Sequence, residues 1–101
     1  MGTLESKQQA LLKTIDVLEK IIDLKSNTTP NVIVRQLQIE FLKSLIHAWE
    51  EEKDVVGIAA MIRGCLEYSN KDFIFYYRLA ECVNYTKNLM APVPKPLFNL
   101  N

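Results

Sequence analysis

Apolar residues recur along this chain in steps of three and four, the period of a helix that buries one side against a core. Leu11, Ile15, Leu18 and Ile22 set the pattern in a first segment, residues 4–25, and Leu12, Val17, Ile21 and Leu24 widen it beyond a narrow coiled-coil seam. Ser6 with Gln9 reads as a capping box near its start. A Ser-Asn-Thr-Thr-Pro run ends the segment, with Thr29 as N-cap and Pro30 as first residue of a second helix over 30–52. The second helix carries two apolar series side by side: Val34, Leu37, Phe41, Leu45 and Leu42, Ile46, Trp49. Its opening also alternates as a strand would, but Arg35 interrupts the inward face of any such strand.

Asp54 caps a third helix over 54–68, with Val55, Ile58, Ala59, Ile62, Cys65 and Leu66 inward. Gly57 and Gly64 fall within it, each costing about 1 kcal/mol relative to alanine, and are best tolerated where a neighbouring backbone comes close. Ser69-Asn70 breaks the pattern, and Asp72 caps a fourth helix running to about Met90. The expected fold is all-α: four antiparallel helices, about 4–25, 30–52, 54–68 and 72–90, in one domain spanning residues 1–91. Pro92, Pro94 and Pro96 then favour an extended tail over 92–101, which carries Leu97 and Phe98.

The fourth segment opens with five apolar or aromatic residues in a row, Phe73, Ile74, Phe75, Tyr76 and Tyr77. The stripe Tyr76, Leu79, Ala80, Val83 marks it as helical, and the preceding break lacks the glycine of a tight hairpin. A helix in a small bundle hides about half its circumference, so some of these rings must face outward. Phe73, Phe75 and Tyr77, with Arg78 beside them, are therefore the expected partner-binding residues, joined by Leu97 and Phe98 of the tail. Trp49, which closes the Leu42, Leu45, Ile46 stripe, is expected inside, against the third or fourth helix.

What the chain lacks narrows its function. Twelve Lys and Arg balance twelve Asp and Glu, so the basic excess that neutralises phosphates or anionic lipid is missing, and nucleic acid is a disfavoured partner. No apolar run is long enough for a membrane span. Cys65 and Cys82 lie in apolar patterns without metal spacing and read as buried, reduced thiols of a cytoplasmic protein. The start Met1-Gly2-Thr3-Leu4-Glu5-Ser6 fits the short N-myristoylation pattern but reads first as a plain lead-in to a helix capped by Thr3 or Ser6. His47, the single histidine, has no second ligand in reach by sequence, and three glycines are too few for a phosphate-cradling loop. No catalytic, cofactor or metal residue is assigned.

Leu42, Leu45, Ile46 and Trp49 match Tyr76, Leu79, Ala80 and Val83 in spacing, 34 residues apart, with Ile58, Ile62 and Cys65 between them. Residues 39–83 thus resemble the tetratricopeptide repeat, a 34-residue helix–turn–helix. They depart from it at Ile46, where the family keeps a close-contact glycine, and at Ile58, where it keeps alanine. The resemblance implies a groove that holds a partner's helix or peptide. The expected function is a small non-enzymatic interaction or assembly module that binds a protein partner or its own copy. The alternatives are a phage- or bacterium-encoded antagonist of one target and a helical nucleic-acid-associated regulator.

Overall fold

A computed structural model describes residues 4–25, 32–51 and 57–90. Those residues form four helices: α1 (Leu4–Asp23), α2 (Val32–Glu50), α3 (Ile58–Glu67) and α4 (Asp72–Met90). Among the described residues there is no strand. The expected starts at Pro30 and Asp54, and the Pro-rich tail, lie outside the described residues.

Side-chain contacts fix the directions of the helices. Lys25 lies 5.2 Å over the Tyr76 ring and Lys87 pairs with Glu19 at 3.6 Å, so α4 runs antiparallel to α1. Gln38 reaches Ile21 and Trp49 reaches Thr14, so α2 is antiparallel to α1 as well. Arg78 lies over the Tyr68 ring while Tyr85 meets Gly57, which makes α3 and α4 antiparallel. α1 packs on α2 and α4, and α3 packs on the same two, so the four helices close into a ring. The first helix packs heavily on the last.

The core is built from the expected stripes. Leu18, Ile21, Leu42, Ile58, Ile62, Cys65, Phe75, Leu79 and Cys82 are fully buried. Leu12 is not: it turns outward, 54% exposed, because the α1 stripe is wider than the side its neighbours cover. Trp49 is buried as expected, but its ring nitrogen points to α1, where it donates to Thr14 Oγ1 at 2.8 Å.

The two glycines of the third segment behave differently from the expectation. Gly57 lies before α3 as its N-cap, at φ 112°, a left-handed conformation that glycine adopts without Cβ strain. A side chain there would also run into the Tyr85 hydroxyl. Gly64 is inside the helix, but no neighbouring group crowds it, and a Cβ added there meets open space. Tyr68 ends α3: its N–H donates to Cys65 O and the Ser69 N–H donates to Leu66 O, both at 3.1 Å. Lys71 N–H then bonds to Tyr68 O at 2.9 Å, which folds the chain tightly into α4.

Candidate functional site

Arg35 and Gln38 organise the end of the bundle where α2 and α4 begin. Gln38, fully buried, is satisfied on every side: Nε2 donates to Ile21 O and to Tyr76 Oη, both at 2.9 Å, and Oε1 accepts from Arg35 Nε at 2.9 Å. Arg35 continues outward. It donates to Ser69 O, pairs with Asp72 Oδ1 at 2.6 Å and stacks 4.2 Å from the Phe75 ring centre. One arginine thereby ties α2 to the α3–α4 turn. The sequence shows Arg35 only as a break in an apolar pattern, whereas its planar fork suits this combination of stacking and several donors.

This network explains a correction. Phe75 is not a surface ring: it is 0% exposed, capped by the Arg35 guanidinium and set edge-on to Tyr76 at 5.2 Å. Phe73 and Tyr77, one turn apart on the opposite side of α4, do face outward, at 84% and 57% exposure. Arg78 is exposed and lies 5.1 Å over the Tyr68 ring, a contact within the chain. Leu97 and Phe98 lie outside the described residues.

A larger apolar face is on α2. Ile33, Leu37 and Phe41, each one turn from the last, are 74%, 45% and 44% exposed. The next step of the same row, Leu45, enters a groove between α1 and α2 of about 350 Å³. Ala10, Lys13, Thr14 and Val17 line one wall, and Leu45, Ala48 and Trp49 the other. The groove lies where α1 and α2 form the thinnest seam of the ring, with side-chain hydrogen bonds from Gln38 to Ile21 and from Trp49 to Thr14 joining them. Thr14 is built for this place: its hydroxyl donates to Ala10 O at 2.9 Å and accepts from the indole.

The signal for this face was in the sequence. The two apolar series of α2 together wrap more of the helix than one side can bury, the same excess that pointed to Phe73 and Tyr77 on α4. Leu42, Ile46 and Trp49 went inside, and Leu37 and Phe41 stayed out.

The remaining chemistry is quiet. Cys65 and Cys82 are buried and free. Burial, reinforced by the neighbouring Cys82, pushes the Cys65 thiol up to about 12, and burial pushes Cys82 up to about 11. Both thus stay protonated and unreactive near neutrality. Among the described residues no group of three or more His, Cys, Asp or Glu is placed to hold a metal ion, and no helix is long and apolar enough to cross a membrane. No family model, curated protein or solved structure matches the chain.

Proposed function

We propose that this chain is a non-enzymatic protein-interaction or assembly module working through exposed apolar rows on its outer helix faces. The observation that carries the reading is the row Ile33, Leu37, Phe41, left in water along about two helical turns and running into the α1–α2 groove. Isolated apolar residues on a surface are ordinary, but a contiguous row beside an apolar groove is the pattern of a docking face. Phe73 and Tyr77 add a smaller aromatic contact on α4.

The test is association measured by light scattering and by capture on the immobilised full chain. Leu37→Ser with Phe41→Ser, or Phe73→Ser with Tyr77→Ser, should keep the helical circular dichroism and lose the association carried by that face. A chain that stays monomeric at high micromolar concentration, and captures nothing that these variants lose, ends the reading.

A further inference from the structure

The outer face of α2 says more than that something docks there. Followed through its exposed positions, the row reads Ile33, Leu37, Phe41, Ser44, Ala48, in steps of four, four, three and four. Bulky residues occupy the N-terminal half, small ones the C-terminal half, and a phenylalanine stands in the middle. Such a row is complementary to itself when turned end for end. Ile33 then meets Ala48 of the second copy, Leu37 meets Ser44, and Phe41 meets its own counterpart. A parallel pairing would instead set bulk on bulk at one end and leave a gap at the other.

Charge selects the same arrangement. Glu40 and Lys43 are both exposed, and the turn of about 100° per residue in a helix sets both to one side of the row, away from the α1–α2 groove. In an antiparallel two-fold pair the same flanks face each other, because the symmetry axis carries each side of one helix to that side of the other. Glu40 then lies opposite Lys43 of the second copy, and Lys43 opposite its Glu40. Gln36, now bonded to Glu40 at 3.1 Å, comes opposite His47 in the same register.

We infer that the partner for this face is a second copy of the chain, joined by antiparallel α2–α2 pairing about a two-fold axis near Phe41. The inference rests on the interaction-module reading and narrows it to one occupant and one register. A row of this kind spans about 22 Å at the ~1.5 Å rise of a helix. Pairing it would also bring the second copy over the mouth of the α1–α2 groove.

Charge reversal in the full-length chain tests the register. Glu40→Lys alone places lysine against Lys43, and Lys43→Glu alone places glutamate against Glu40. Sedimentation at low salt should show each single variant dissociating at about tenfold or more higher protein concentration than the unmodified chain. The double variant, Glu40→Lys with Lys43→Glu, should restore the dimer. Phe41→Glu should give a helical monomer. A dimer indifferent to both single reversals and to Phe41→Glu overturns the α2 pairing yet leaves the interaction-module reading standing, with its contact elsewhere. Singles that weaken the dimer without rescue by the double variant overturn the register. A chain monomeric throughout overturns the inference, and the capture experiment then decides the broader reading separately.

Discussion

The interior faces of α3 and α4 are mostly apolar: Ile58, Ile62, Cys65, Leu79 and Cys82 are all fully buried and make a dry seam. Across α1 and α2, polar groups do the joining: the Trp49 indole bonds to Thr14 within the groove, and the Gln38 amide reaches Ile21 O further along the seam. The two seams belong to one ring, and the contrast lies in how each satisfies its surface. Close packing leaves nothing over for another molecule. A bridged seam leaves Leu37 and Phe41 of α2 half in water beside the opening, while Leu45, the next in that row, is buried in the groove wall. On the proposed reading, the bridged seam is the interaction surface of the fold and the dry seam is its anchor.

Substitutions at the two seams should separate these roles. The largest effect belongs to the dry core: Phe75→Ala removes a fully buried ring and the platform under Arg35, and should cost about 3–5 kcal/mol in denaturant unfolding. On the bridged side, Gln38→Leu keeps the bulk but strips partners from Tyr76 Oη, Ile21 O and Arg35 Nε. Chemical denaturation should show a loss of about 1–3 kcal/mol, the usual cost of stranding buried polar groups. A loss near that of Phe75→Ala would mean that the polar bridge, not the apolar core, is the anchor.

Thr14→Val keeps the shape at the groove and leaves the indole N–H without its acceptor, a loss of about 1 kcal/mol. Trp49 emission should change with it, reporting the groove wall directly. No shift in emission would place the indole in other contacts than the bond to Thr14.

The dry seam also has a signature in alkali. Both thiols are raised above the ordinary 9.0 by burial, so the folded state holds protons that the unfolded chain gives up. This contribution to stability is complete below pH 9 and fades as pH rises through the folded values of about 11 and 12. Comparing the unmodified chain with a Cys65→Ala, Cys82→Ala double variant isolates it. The difference between their stabilities should narrow above pH 9, and an unchanging difference would show that the thiols ionise alike in both states.

Much of the fold was legible because helix periodicity and cap residues act locally. The α1 stripe, the buried Trp49, the break at Ser69-Asn70 and the start of α4 at Asp72 all follow from neighbours within a turn or two. The site was legible in part. Excess apolar wrap on α4 pointed to exposed rings, and Phe73 and Tyr77 are exposed. Which ring went inside depended on Arg35, 40 residues earlier in the chain, and no local pattern reports such a contact. Likewise Gly57 reads as a weak helical residue until the left-handed turn before α3 places it outside the helix.

The central claim is that the α1–α2 side is a working surface and not merely a loosely packed one. Its most direct test is the mass of the unmodified chain in solution, measured by sedimentation equilibrium from low to high micromolar concentration, beside the Leu37→Ser, Phe41→Ser variant. The account predicts a concentration-dependent rise from the 11.6 kDa of one chain towards twice that value, and a variant that stays helical at the mass of one chain. A variant that associates as strongly as the unmodified chain would contradict it.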